Sequence, residues 1–357
     1  MSGGRVLQSE YMHWAKNQRP VTYALSSSEV PHFALGRLPL ALADLELTGA
    51  SAYRYPPLRE AIAVKEEVAP ENVVAADGTS MANMLAMAAL VEPGDEVLVE
   101  RPAYEPMLAV LGFLGARIAR FDRRAEDGFA LDPDSVARAV TPATKLIVLT
   151  NLHNPSGAYA GAAVLRRIGE LGPLVLVDEV YRDAAFAEWP RSAFHLGARF
   201  VVTNSLTKVY GLSGIRCGWI LAEAALAERI WRLNELFGVA QVHAGERLGC
   251  FALAHLAEIA AGSAERLARN RALASAFLAS RDDLACAPMV HGITAFPRLL
   301  SGDTEALDER LRARFDTGIV PGRWFEAPAH FRLGIGGATE MVEEGLARLG
   351  AALDEMR

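Results

Sequence analysis

Cysteine is scarce in this chain, three in 357 residues. Cys217, Cys250 and Cys286 are odd in number, far apart and without metal-ligand spacing. They exclude a disulfide framework and a cysteine-held metal, so three reduced thiols in a cytoplasmic protein are expected. A run of charge of one sign is also missing. Lys and Arg number 36 against 43 Asp and Glu, a formal net charge of −7. Nucleic-acid binders usually show a basic face, so a nucleic-acid partner is not expected. Long apolar runs are absent as well. Stretches such as Met81–Val91 fall well short of the roughly 20 residues that cross a bilayer, so no membrane partner is expected. The first residues, MSGGRVLQSEYMHWAKNQR, carry scattered charges and no apolar core segment, so no secretory signal is expected. There is no internal repeat, and Ser26–Ser28 is too short to be a linker.

What is present is ordinary for a globular protein: 51% hydrophobic and 22% charged residues. The length supports a sizeable core and more than one domain. Between about residues 73 and 221, short apolar runs alternate with helix-like stretches. Val73–Ala76, Glu96–Val99, Lys145–Thr150, Leu174–Val177, Phe200–Thr203 and Gly218–Ala222 read as strands. Several are rich in Val, Ile and Leu without polar alternation, as in a sheet covered on both faces. Ser80–Leu90, Tyr104–Leu114, Ser135–Ala139 and Ala162–Leu171 read as helices. The alternation predicts an α/β fold with a mostly parallel sheet sandwiched by helices, and ligands beyond the carboxyl ends of its strands.

After about residue 225 the texture changes. Ala224–Phe237 and His243–Leu278 read as helices, the second long enough to cross toward another domain. Strand-like pieces follow near Met289–Pro297 and His330–Ile335, then a final helix at Thr339–Met356. The expected organisation is an N-terminal arm over 1–49, poor in periodicity and packing on the small domain or on a partner. A large domain over 50–232 and a smaller α+β domain over 233–357 follow.

Four polar clusters follow predicted strands. Asp77-Gly78-Thr79-Ser80 places a glycine at a helix start, where backbone N–H groups can face an anion; alone it reads as a plain strand-to-helix turn. Asn151-Leu152-His153-Asn154-Pro155-Ser156-Gly157 is built of turn formers. Asp178-Glu179-Val180-Tyr181 ends a buried run, so Asp178 is either a helix cap or a site residue. Ser205-Leu206-Thr207-Lys208, followed by Gly211, Gly214 and Arg216, offers a lysine that by itself is as well a surface cation.

Together, the order and spacing of these clusters resemble the fold-type I pyridoxal-phosphate (PLP) enzymes, specifically the class I/II aminotransferases related to aspartate aminotransferase. Asn154-Pro155-Ser156-Gly157 is similar to the family's N-P-x-G element, and Asp178 to Tyr181 to its D-x-x-Y. Ser205, Lys208 and Arg216 are similar to its S-x-x-K followed eight residues later by arginine. Gly292-Ile293-Thr294-Ala295-Phe296-Pro297, then Pro321-Gly322, Phe325 and Phe331-Arg332-Leu333, resemble the segments of its small domain. The resemblance runs from about residue 50 to the end.

The resemblance implies the roles. Lys208 holds PLP as a Schiff base and moves the proton, and Asp178 faces the pyridine nitrogen and keeps it protonated. Tyr181 and Asn154 donate to the ring's phenolate oxygen. Arg216, Ser205 and the N–H groups of Gly78, Thr79 and Ser80 hold the phosphate. Tyr104 stacks on the ring; the alternative for an aromatic after a strand is simple packing. Arg332, with Asn154, receives the substrate's α-carboxylate. No metal is implied. The implied substrates are an amino acid and a 2-oxo acid, and the implied assembly is a homodimer.

Departures from the family pattern are local. Thr207 stands where many relatives have serine. Leu25-Ser26-Ser27-Ser28-Glu29-Val30-Pro31 lacks the glycine often found near the substrate. The tyrosine that reaches the neighbouring subunit's phosphate falls in a shortened Ser51–Pro57 segment, where either Tyr53 or Tyr55 can serve. No second arginine for a side-chain carboxylate stands out, and His243, in about the right stretch, reads as a packing or surface residue. Tyr11, His13 and Trp14 read as anchors of the arm. Transamination is the first expectation. A PLP-dependent lyase or amino-acid cyclase is the alternative on the same scaffold. A non-catalytic PLP-binding module, which would normally carry a DNA-binding domain, comes last.

Overall fold

The computed structural model describes residues 6–47, 50, 52–185 and 190–357. Its centre is a seven-stranded sheet of β1 (Val73–Asp77), β2 (Glu96–Arg101), β3 (Arg117–Asp122), β4 (Thr144–Thr150), β5 (Leu174–Asp178), β6 (Phe200–Ser205) and β7 (Cys217–Leu221), in the order β1-β7-β6-β5-β4-β2-β3. Strands β2 to β6 run parallel, and β7 is antiparallel to both of its neighbours. The sequence explains why the middle strands are central. Ile147, Leu149, Val175, Val177 and Val202 point into one apolar core, and Leu146, Val148, Leu176 and Val201 into the other. Successive residues of each strand therefore bury on opposite faces, which is why these strands read as unbroken apolar runs.

Helices cover both faces. Following the N-terminal helix α1 (Glu10–Asn17) come α2 (Pro56–Glu66), α3 (Gly78–Leu90), α4 (Glu105–Phe113), α5 (Pro133–Ala139), α6 (Ala162–Gly169), α7 (Ala224–Asn234) and α8 (His243–Ala254). Leu85 of α3, Leu111 of α4 and Ile230 of α7 fill one core. Ile62 of α2, Val136 of α5, Leu165 of α6 and Ala252 of α8 fill the other.

The expected long helix over 243–278 is three: α8, α9 (Leu256–Ala260) and α10 (Ser263–Ala279). The last break sits at Gly262, which takes the left-handed conformation at φ 75°. That conformation suits glycine and cannot continue a helix. Beyond α10, α11 (Thr304–Arg314) and α12 (Thr339–Asp354) pack with five short strands. These are β8 (Leu284–Ala285), β9 (Thr294–Ala295), β10 (Arg298–Leu299), β11 (Val320–Pro321) and β12 (Phe331–Gly334), paired as β10-β8 and β11-β12-β9. Ala274, Leu311, Phe331, Leu333 and Leu349 form their shared core.

The N-terminal segment has more structure than its weak periodicity implies. Ser9 caps α1, its Oγ accepting from Met12 N–H at 3.1 Å. Leu25 is fully buried in the C-terminal core. Strand β3 was also hidden in the sequence. It is an edge strand carrying Arg117, Arg120 and Asp122, and charge at a sheet edge protects against stray pairing while erasing the apolar signal.

Candidate active site

The carboxyl ends of β4, β5 and β6, the start of α3, the buried strand β12 and the segment 26–29 close around one cavity of about 660 Å³. The sheet order brings Asp178 at the end of β5 beside Thr203 of β6. The Asp178 carboxylate is buried. It accepts from Asn83 Nδ2 at 2.8 Å and from the Val180 N–H at 2.9 Å, and it has no ion-pair partner among the described residues. Asn83 is oriented in turn by Thr203, whose hydroxyl donates to Asn83 Oδ1 at 2.6 Å. Burial pushes the Asp178 carboxyl up to about 6, opposed by the Asn83 and Val180 hydrogen bonds. A buried carboxylate aimed into a cavity and paired with no cation is an acceptor for a cationic group.

Across the cavity lies an anion cradle. Gly78 opens the 13-residue α3 at φ 75°, and a Cβ there would come within 2.3 Å of Arg216 Nη2. The bare backbone thus lets the guanidinium lie against the helix start, held by the carbonyls of Asp77 at 3.0 Å and Ser213 at 3.3 Å. Thr79, Ser80 and Thr207 line the same end of the cavity. Ser205 stands one layer behind, bonded to Thr79 Oγ1 at 2.8 Å and Thr207 Oγ1 at 2.9 Å. A helix N-terminus, hydroxyls and an arginine are the donor set of a phosphate.

Between the two ends are Lys208, Tyr181, Tyr104, Asn154 and Arg332, all lining the cavity. Burial holds the Lys208 amine below its ordinary value, Glu29 opposing and Arg332 adding to the effect. Burial pushes the Tyr181 phenol up to about 12, so it stays a donor at neutral pH. Asn154 is anchored by its own N–H, which donates to Thr150 Oγ1 at 2.9 Å; Thr150 in turn donates to the buried Glu100 carboxylate at 2.7 Å. Arg332 is 1% exposed. Its guanidinium donates to Asn154 Oδ1 at 3.1 Å, to Tyr11 OH at 3.1 Å and to the Ser26 carbonyl at 3.3 Å. Its Nε has no partner, and no carboxylate pairs with it among the described residues. A buried arginine satisfied only by neutral groups is prepared for an anion.

All eleven residues singled out in the sequence lie at or directly behind this cavity. Gly78 and Ser205 are the two that sit behind its surface. Tyr53 and Tyr55 do not line it: Tyr53 OH donates to Glu235, and Tyr55 packs edge-on against His243 with ring centroids 4.9 Å apart. His243 is held between Glu246 at 3.2 Å and Glu46 at 3.5 Å, outside the cavity. Tyr11 is more than an anchor, because its hydroxyl meets Arg332. Asn83 and Glu29 were not anticipated. Asn83 sits five residues past Gly78 on α3, one helical turn in, where a polar residue on a buried face was the available signal.

The donor set fits PLP: an anion cradle at one end, an unpaired buried carboxylate for a protonated ring nitrogen at the other, and a lysine between them. Comparison with known proteins agrees. The family described as Aminotransferase class I and II matches residues 12–349. Capreomycidine synthase of Streptomyces vinaceus is 30% identical over 346 residues, 92% of this chain and 89% of that protein. Arginine–pyruvate transaminase of Pseudomonas aeruginosa is 30% identical over 305 residues, 82% of this chain and 77% of that protein. Among solved structures, the PLP-dependent cyclase OrfR superposes with a TM-score of 0.86 at 26% identity, covering 100% of both chains. The family match spans nearly the whole sequence and includes every residue of the cavity just described except Tyr11 at its edge, so the chain belongs to the class I and II aminotransferases, PLP-dependent enzymes of fold type I.

Proposed function

We propose that this chain is a PLP-dependent aminotransferase that moves an amino group between an amino acid and a 2-oxo acid, with Lys208 as the lysine that binds the cofactor. The observation that carries this reading is the convergence of Lys208, the unpaired Asp178 carboxylate and the unpaired Arg332 guanidinium on one cavity. When bound, PLP supplies an aldehyde that takes up the amine and a ring that accepts electrons from Cα.

The chain's own residues do the rest. Arg332, oriented by Asn154 and Tyr11, grips the α-carboxylate and fixes which bond at Cα points toward Lys208. Lys208, its amine made less basic by burial, takes the proton from Cα and returns it on the other side of the transfer. Asp178, held by Asn83 and the Val180 N–H, keeps its charge facing the ring nitrogen. Tyr181 and Asn154 serve as donors to the ring oxygen. Arg216, Thr79, Ser80 and Thr207 take the phosphate, with Gly78 and Ser205 shaping the cradle, and Tyr104 covers the ring.

We further place the active sites near the interface of a homodimer. Exposed Leu42, Leu47, Leu236, Phe237 and Val242 support this. The segment carrying Leu42 and Leu47 is held to α8, which follows Val242, by the contact of Arg247 with the Asp44 carbonyl, and Tyr53 meets Glu235, next to Leu236. Gln241 of the same face reaches Asp77, beside the anion cradle, at 3.0 Å. The proposed boundaries are 1–49 for the arm, 50–232 for the large domain and 233–357 for the small one. Three unpaired cysteines suit a cytoplasmic location.

A cyclase or lyase outcome is the second reading, favoured by the similarity to capreomycidine synthase and to a PLP-dependent cyclase. A panel of amino acids assayed in single turnover separates the two. Transamination predicts a 2-oxo acid and loss of the aldehyde absorbance. A cyclised or deaminated product with the absorbance restored each turnover assigns the alternative.

A further inference from the structure

The groups assigned above leave the substrate's side chain without a partner. Six cations line the cavity, Lys16, Arg19, Lys208, Arg216, Arg312 and Arg332, against two carboxylates, Asp178 and Glu29. Arg312 is already bound to Asp308 at 2.8 Å and lies over the Trp14 ring at 5.8 Å. Lys16 and Arg19 are exposed at the mouth, where water screens their charge. Glu29 is different. Its side chain is 26% exposed, and among the described residues its one charged partner is Lys208 Nζ at 3.9 Å, beyond hydrogen-bond reach. No donor among the described residues bonds its oxygens.

The position of Glu29 is fixed by its backbone. The Val30 N–H donates to the Lys208 carbonyl at 3.0 Å. On the other side the chain passes so close to Gly336 that a Cβ there would come within 2.6 Å of the Glu29 carbonyl oxygen. Three residues earlier, the Ser26 carbonyl accepts from Arg332. One short segment thus braces the carboxylate clamp and presents a free carboxylate beside the reacting amine. Once the Lys208 amine is committed to the cofactor, that carboxylate faces the cavity with no donor from the described residues on it, so a donor on the substrate meets no competitor but water.

We propose that Glu29 selects amino acids whose side chain carries an ammonium or guanidinium group, which donates to the Glu29 carboxylate while the α-carboxylate lies on Arg332. The proposal rests on the amino-acid reading of the cavity given above. Lys208 Nζ marks where the substrate's amino group arrives, so a donor a few bonds beyond Cα comes within reach of Glu29. A guanidinium fits best, since its planar fork gives two parallel bonds to one carboxylate.

The test uses the PLP-loaded protein and acids that lack the α-amino group and therefore cannot react. Isothermal titration compares 5-guanidinopentanoate, hexanoate and glutarate. The guanidino acid is expected to bind roughly 10- to 100-fold tighter than hexanoate, the span of a charge-assisted hydrogen bond. In Glu29→Gln that ratio should collapse toward one. Glu29→Asp, which keeps the charge one methylene back, should retain part of it and serves if the Gln variant fails to hold PLP. Single-turnover rates with arginine and norleucine should show the same loss of ratio. No preference in the wild type, or a preference that survives Glu29→Gln, overturns the proposal. So does tightest binding of glutarate, which would hand the side chain to Lys16 and Arg19. Because the three acids carry no amine, this result stands apart from the transamination reading, which fails separately if no amino acid alters the cofactor's absorbance.

Discussion

Asp178 is a buried carboxylate at the wall of the cavity, and its environment makes two opposite demands. Burial favours the protonated form and raises its pKa from 3.8 to about 6; the Asn83 and Val180 N–H bonds favour the charge. A carboxyl with a raised folded-state pKa costs stability once pH exceeds its unfolded value, and the full cost is present above the folded value. Without PLP, Asp178→Asn should therefore stabilise the protein at pH 8 by about 1–2 kcal/mol, less than the ~3 kcal/mol of the shift because one hydrogen bond is weakened. The gain should vanish below about pH 4, where both states bind the proton. With PLP the sign should reverse, and single-turnover rates should fall by orders of magnitude because the amide cannot hold the ring nitrogen protonated. Thermal melts of both proteins, with and without PLP, at pH 4 and 8 check this. Equal melting curves at pH 8 would show that Asp178 bears no burial cost. The end of an apolar run left Asp178 as either a helix cap or a site residue, and only the D-x-x-Y resemblance singled it out; its supports Asn83 and Thr203 lie on other elements, and only folding brings them together.

At the scale of elements, the site is made by strand ends and by a glycine that lets a helix start approach an arginine. Asp77-Gly78-Thr79-Ser80 was visible as a turn, and the structure adds why glycine stands there. Two terms act at Gly78, the left-handed φ of 75° and the 2.3 Å approach of Arg216. Gly94 shares the positive φ, at 91°, but faces open space. Gly94→Ala should therefore cost about 1–2 kcal/mol in stability, the backbone term, and leave PLP affinity unchanged. Gly78→Ala should cost at least as much and also weaken PLP binding by roughly tenfold or more, since Arg216 must move. Equal PLP affinity in the two variants would remove the cradle from the account. The elements the sequence hid each have their own physical cause. β3 is a charged edge strand, α1 is eight residues long with one capping serine, and the α9–α10 break turns on Gly262 inside an Ala-rich stretch that otherwise reads as continuous helix.

For the molecule as a whole, the large sheet was legible because both of its faces are buried, so its strands are spelled in Val, Ile and Leu. The shape of the cavity was not. Its walls come from segments as far apart as Tyr11, Glu29, Asp178 and Arg332, and no local pattern records that Tyr11 OH meets Arg332. The same holds for the exposed apolar face carrying Leu236 and Phe237. If that face joins two copies, sedimentation at micromolar concentration should show a dimer. Leu236→Asp combined with Phe237→Asp should give a monomer that binds PLP more weakly, because the face adjoins the anion cradle through Gln241 and Asp77. A wild-type monomer with full activity would contradict the arrangement.

The central claim is that Lys208 binds the cofactor, and the chain's composition makes it easy to test. It contains four lysines, Lys16, Lys65, Lys145 and Lys208. Lys65 is committed to Asp183 and Glu66, both at 2.9 Å. Borohydride reduction of the PLP-loaded protein, followed by proteolysis and mass spectrometry, locates the covalently retained cofactor on one of the four. The account predicts the mass increment on the Lys208 peptide alone, with a yellow protein before reduction. A label on Lys16, Lys65 or Lys145, or a protein that takes up no PLP, would contradict it.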